Sequence, residues 1–304
     1  MSVDYIPYEQ RTPDTQYRDR LVLIRDHGIA AKSFHPIGSQ TYMGLPAMRF
    51  DLRNGVPSPP SATWKGSWRS AIGEILGFIN GVRTQEALVG EFGVNEKFWG
   101  PTVTEAKCKI FGLQTGDLGA GSYGAAMGAF PTPWGTTVSQ MRNVLDQMRS
   151  MPDVRTHWID PWIPFYTMKG GGGAESKGVV APCHGWMHFR ILNAELHLQM
   201  HQRAADMPAG SVFNTFQYAA LTIAVAHVMD IKAAGFYHSF SDAHYYDNQL
   251  DPWVNDLIDR EPRRLPTLTL TEDAPDDLFA FRPRHFVLTD YDPHPAMNDI
   301  PVAV

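Results

Sequence analysis

Cysteine is scarce: only Cys108 and Cys183 occur in 304 residues. Two thiols cannot build a disulfide framework or a cysteine-rich zinc site, and a reducing compartment suits a thiol that works alone. No metal is expected. The chain also lacks an uninterrupted apolar stretch long enough to span a bilayer, and its first residues show no basic region followed by an apolar run. A cytoplasmic protein without a membrane partner is the expectation. Positive charge is not in excess either. Lys and Arg number 26 against 32 Asp and Glu, a net charge of −6, so nothing favours nucleic acid as a partner and an anionic substrate would need a local basic site. With 43% hydrophobic residues and no abrupt change of composition, the chain can bury a sizeable core as one domain spanning residues 1–304.

Chemistry concentrates between residues 181 and 214. Ala181-Pro182-Cys183-His184 is followed by Gln202-Arg203-Ala204-Ala205-Asp206 and by Gly210-Ser211-Val212-Phe213-Asn214. A thiol reacts as thiolate, and a nearby Arg lowers its pKa, so this spacing can describe an activated nucleophile. A Cys in an apolar stretch can equally be a small core residue.

Elsewhere the pattern sets the frame. Residues 17–27 read as a helix and 48–52 as a strand. From 68 to 80, Ile72, Ile75, Leu76 and Ile79 recur at helical spacing, with Gly81 as the stop, which buries Glu74. Such a carboxylate is either paired or has a raised pKa and handles protons. The segment 116–128, around Tyr123, reads as a flexible Gly/Ala-rich loop leading to a helix over 141–151. The run Gly170-Gly171-Gly172-Gly173 lacks the Gly-Lys-Ser/Thr of a phosphate loop and reads as a linker. Residues 188–200 suggest strand, turn at Asn193-Ala194, and strand, which would bring Cys183 and Arg203 side by side. Residues 216–229 are apolar on nearly every face and mark a central helix, with Asn214 at its start as either an N-cap or a ligand contact. His244, in Asp242-Ala243-His244-Tyr245-Tyr246, reads by itself as structural.

Together these blocks resemble the folate-dependent thymidylate synthase superfamily, which includes the pyrimidine-nucleotide hydroxymethylases. Arg260-Glu261-Pro262-Arg263 with Leu265-Pro266, and Tyr291-Asp292-Pro293-His294-Pro295 through Pro301-Val302-Ala303-Val304, extend the likeness. Weaker matches occur at Met48-Arg49-Phe50, Glu74 and Gly116-Asp117-Leu118-Gly119. The resemblance implies an α+β fold whose large mixed sheet packs back to back in a homodimer, a two-fold arrangement that can lend residues across the interface. It implies that Cys183 adds to C6 of a pyrimidine nucleoside 5'-monophosphate, making C5 nucleophilic toward 5,10-methylenetetrahydrofolate. By position, Arg203 would bind phosphate and activate the thiol, Glu74 would relay protons through ordered water, and Tyr123 would assist removal of the C5 proton. Asn214 would read the base, and His244 with Tyr246 would hold the sugar, with Gln202, His184, Ala204 and a partner's Arg155 also on the substrate side. Asp206 would contact the pterin beside Gly210, Trp99 would cover the reacting carbon, and the carboxylate of Val304 would close the site.

Several family features are missing. An Arg-Thr-Gly-Thr-Gly-like segment is replaced by Phe34-His35-Pro36-Ile37-Gly38-Ser39, an Arg-Arg pair by Arg155-Thr156, and the Ser after Gln-Arg by Ala204. A Trp-Arg after Tyr123 is Met127-Gly128, and the loop after Gly119 carries an extra residue. Each charged hydrogen bond is worth roughly 1.5–3 kcal/mol, so losing three weakens a nucleotide by several orders of magnitude unless something such as Lys32 or His35 compensates. The departures point to 5-hydroxymethylation of CMP, dCMP or dUMP, in which water captures the exocyclic methylene. Methylation of dUMP is the alternative, and a silent nucleotide-binding regulator a third reading. The Asn214 amide suits uracil first, but can turn over to meet cytosine.

Overall fold

The computed structural model describes residues 2–33, 36–58, 67–168, 176–297 and 299–302. The Gly170 to Gly173 run, Phe34, His35, Ala303 and Val304 lie outside them. After helix α1 (Gln16–His27) come strands β1 (Ile29–Ala31), β2 (Ser39–Met43) and β3 (Met48–Asp51). Helices α2 (Ser67–Ile79), α3 (Gln85–Phe92), α4 (Glu105–Ile110) and α5 (Tyr123–Gly128) follow. A small hairpin of β4 (Phe130–Pro131) and β5 (Thr137–Val138) leads to α6 (Gln140–Ser150), β6 (Trp158–Ile159) and α7 (Pro164–Thr167). Then come β7 (Trp186–Leu192), β8 (Glu195–Asp206), α8 (Gly210–Val228), β9 (Lys232–Tyr246) and α9 (Asn255–Asp259), with β10 (Thr267–Leu270) and β11 (Phe286–Thr289) as a separate pair.

The main sheet runs β1-β2-β9-β8-β7-β6, with β3 also on β9. It is mixed because β8 and β9 are parallel while the other pairs are antiparallel. The reasons are local. Asn193 and Ala194 join β7 to β8 with φ of 52° and 62°, and two successive left-handed residues turn a hairpin in the sense of strand twist. The β8–β9 connection is instead α8, a crossover that parallel pairing requires. Between Ser211 and Ala226 all but one residue of α8 is buried, which explains an apolar run without an exposed face. Helix α2 packs on α8, burying Ile72, Ile75, Leu76 and Ile79 together with Glu74. Gly81 follows at φ 81° as the expected stop.

Two expectations are corrected. Residues 123–128 are not loop but helix α5, because Gly124 and Gly128 let it close onto the backbone of Val82 and Gly81, where a Cβ would collide. Asn214 is not an N-cap: the helix begins at Gly210 behind Ala209, which leaves Asn214 inside it with a buried amide.

On the other face of the sheet, Trp186, His188 and Arg190 of β7, His197, Gln199 and His201 of β8, and Tyr237, Ser239 and Ser241 of β9 are half-buried or exposed. No described helix is long and apolar enough to cross a membrane.

Candidate active site

Strand β8 carries Gln202, Arg203, Ala204 and Asp206, and its parallel register with β9 sets Ala204 beside Asp242 and Asp206 beside His244. The loop ahead of β7 lies along this end of β8, where Arg203 N–H donates to the Cys183 carbonyl at 2.8 Å. The hairpin thus does what the sequence implied: it brings thiol and guanidinium together. Arg203 Nε donates to Pro182 O at 2.7 Å and Nη2 to Ala181 O at 3.0 Å, while Nη2 stands 3.5 Å from Cys183 Sγ. Its guanidinium also lies over the Trp162 ring, 5.3 Å from the centroid.

Tyr123, at the start of α5, stands on the other side of the thiol. Its hydroxyl accepts the Cys183 N–H at 2.6 Å, and its ring stacks between Phe78 and His184 at centroid distances of 4.9 and 4.5 Å. Burial pushes the phenol well above its usual range. The expectation of a simply lowered thiol pKa needs correcting. Burial pushes Cys183 up, and the charge of Arg203 with the hydrogen bond from Tyr123 only partly draws it back. Burial thus favours the neutral thiol despite the neighbouring guanidinium.

Glu74 accepts Trp99 Nε1–H at 2.7 Å, and its burial between α2 and α8 raises its pKa to about 7. The Gln217 amide is near enough to draw the carboxyl back somewhat, although its nitrogen makes no well-formed hydrogen bond to a described residue. A carboxyl titrating near neutrality is equally able to give and to take a proton. Trp99 meets Phe78 and Tyr123 edge to face, so Glu74, Trp99, Tyr123 and Cys183 form one continuous wall. His184 is behind that wall. It bonds Tyr218 Oη at 2.8 Å, and burial and Arg203 lower its pKa to about 3, so it is neutral.

The second half of the site opens beside Arg203. A cavity of about 630 Å³ is bounded by Arg203, Ala204, Asp242, His244 and Tyr246 on the sheet and by Lys32, Ser39 and Thr41 from the β1–β2 hairpin. His244 Nδ1 pairs with Asp242 at 2.9 Å and meets Tyr246 edge to face. This isolated reading of His244 as structural is therefore superseded: it lines the cavity. Further along, burial raises Asp206 to about 6 against the pull of His244 and Gln249. Gln249 Nε2 donates to both Asp206 oxygens at 3.2 Å and to Pro301 O at 2.7 Å, and its Oε1 accepts Tyr246 N–H at 2.8 Å. Gly210 opens α8 next to this carboxylate.

Cys183, Arg203, Tyr123, Glu74 and Trp99 are therefore one cluster, with Gln202 and Asn214 joined by a 3.1 Å hydrogen bond on β8 and α8. Arg155 is exposed in the segment before β6 and does not line the cavity. Trp162, Gln217, Tyr218 and Gln249 escaped the sequence reading. Only Gln217 and Tyr218 carried a signal, as polar side chains within the largely apolar, buried run of α8. No group of three or more His, Cys, Asp or Glu able to hold a metal occurs among the described residues.

A protein-family model, described as Thymidylate synthase, matches residues 15–304. A match over nearly the whole chain means that this protein belongs to the thymidylate synthase family, whose chemistry is folate-dependent one-carbon transfer to C5 of a pyrimidine nucleotide.

Proposed function

We propose that this protein hydroxymethylates a pyrimidine nucleoside 5'-monophosphate at C5, with Cys183 as the nucleophile toward C6. The observation that carries the nucleotide part of this reading is the cavity beside Arg203, which combines the small Ala204 with a cation, Lys32, from the β1–β2 hairpin, while the hydroxymethyl outcome rests on the departures from the family pattern in the sequence. Lys32 takes the phosphate in place of the missing arginines, helped by the Ser39 and Thr41 hydroxyls. Room at Ala204, next to Asp242 and His244, accommodates a ribose as well as a deoxyribose. CMP, dCMP and dUMP are the substrates that fit this reading.

Arg203 and Tyr123 favour the thiolate when it attacks, offsetting the burial that otherwise keeps Cys183 protonated. Addition at C6 turns C5 into a carbon nucleophile. Tyr123 assists loss of the C5 proton. Glu74, balanced near neutral pH, holds water and moves protons at the C4 side of the base. Water then adds to the exocyclic methylene left on C5 by departure of tetrahydrofolate, giving the alcohol, and Cys183 leaves C6 as thiolate, restoring the 5,6 double bond.

The residues present fit a pterin. Asp206 is a buried carboxyl poised to pair with ring nitrogens, Trp99 provides a flat wall, and Gly210 lets a ring approach the backbone. The folate supplies the carbon at the methylene level. Pro301, tied to Asp206 through Gln249, supports closure of the C-terminal tail over this position, with Val304 as the closing carboxylate. The half-exposed sheet face supports a homodimer in which Arg155 reaches the partner's phosphate site.

Incubating the protein with CMP, dCMP, UMP or dUMP and methylenetetrahydrofolate, then weighing the product, tests the proposal. A hydroxymethyl product without dihydrofolate is expected. A methyl product with dihydrofolate would instead establish methylation of dUMP, and no conversion would favour a binding protein.

A further inference from the structure

Inside the sheet–α8 layer lies a chain of buried polar groups, each fixing the donor or acceptor role of the next. Gln202 and His238 are almost wholly buried, on β8 and β9, and Asn214 and Thr215 face them from α8. The backbone carbonyl of Ala204 can only accept, and a Gln202 terminal atom lies 3.1 Å from it, so that atom is the amide nitrogen. The same nitrogen is 3.1 Å from Asn214, which must therefore turn its oxygen toward Gln202. Gln202 Oε1 then faces His238 Nε2 at 2.9 Å, and only an Nε2–H can satisfy that contact. Burial keeps His238 neutral, so with Nε2 protonated Nδ1 must accept, and the one proton of the Thr215 hydroxyl is shared between Nδ1 at 3.0 Å and the Ser211 carbonyl at 2.9 Å.

The consequence reaches the base. With Oδ1 held by Gln202, Asn214 has its Nδ2 on the opposite side, 3.5 Å from Gln217 Oε1. Uracil presents N3–H and O4, whereas cytosine presents N3 and N4–H, so the two bases need opposite orientations of one reading amide. An unanchored Asn could serve both by rotating. Here rotation would set the Asn214 amino group against the buried Gln202 amino group.

We propose that His238 and Gln202 are positioning residues for base recognition: by donating to Gln202, His238 fixes the Asn214 amide and commits the site to one of uracil and cytosine. This rests on Asn214 reading the base, as in the proposed function. Leaving buried donors facing each other corresponds to a preference of about ten- to a hundredfold between the two bases.

The test measures binding, so that it does not depend on turnover. Calorimetric affinities for UMP and CMP, and for dUMP and dCMP, give the base preference at constant sugar. The wild type should prefer one base by at least about tenfold. His238→Phe and Gln202→Met should bring that ratio toward one, while His238→Gln, which restores an N–H donor, should retain it. The alkylation rate of Cys183 should stay near the wild-type value in His238→Phe, showing an intact site. Equal wild-type affinity for both bases, or a ratio unchanged in both disruptive variants, overturns the inference. Strong base preference without any one-carbon product would leave the inference standing and overturn the proposed reaction.

Discussion

Replacing Glu74 by Gln should stabilise the protein in alkali and inactivate it. The carboxyl is buried among α2 and α8 and has its pKa raised from 4.5 to about 7. An acid with a raised folded-state pKa holds a proton that the unfolded chain has released, so unfolding releases it and stability falls as pH rises. The penalty is absent below about pH 4.5, grows between 4.5 and 7, and is complete above 7. A shift of that size corresponds to about 3 kcal/mol. Gln has nothing to ionise, yet its carbonyl can still accept Trp99 Nε1–H. Urea unfolding of wild type and variant at pH 5 and pH 8 measures the difference, and the other titrating groups, Asp206 among them, cancel in the comparison. The variant's advantage should increase by about 2–3 kcal/mol between the two pH values. An advantage independent of pH would refute the assignment of an ionised, buried Glu74.

Arg203→Gln should slow alkylation of Cys183 by iodoacetamide at neutral pH and move its pH midpoint upward, since the charge that lowers the thiol pKa is lost while burial remains. An unmoved midpoint would remove Arg203 from thiol activation. Ala194→Gly should raise stability by up to about 1 kcal/mol in denaturant unfolding, because Ala194 sits at φ 62°, where a Cβ is strained. A loss of stability would mean that the Ala194 methyl contributes more than its strain costs.

The frame was readable where one local rule settled it. The period of Ile72, Ile75, Leu76 and Ile79 marked α2, and the Asn193-Ala194 pair marked the hairpin that carries Arg203 back to Cys183. Helix α5 was not readable, because Gly124 and Gly128 follow from how closely the chain approaches Gly81 and Val82, a tertiary fact. Asn214 was misplaced for a related reason: α8 starts at Gly210 without a side-chain cap, so no capping residue announces its beginning. The Cys183–Arg203 contact was legible, but its net effect on the thiol depends on burial, which no spacing reports. The His238–Gln202–Asn214 chain joins β9, β8 and α8 and has no linear signature.

Covalent addition of Cys183 to C6 is tested most directly without any folate, by following the C5–H signal of each nucleotide in deuterated water. Addition makes C5 exchange its proton with solvent, so wild-type protein should erase that signal for its substrate, and Cys183→Ala should not. Exchange that persists in Cys183→Ala, or no exchange by the wild type with CMP, dCMP, UMP or dUMP, would contradict nucleophilic catalysis by this cysteine.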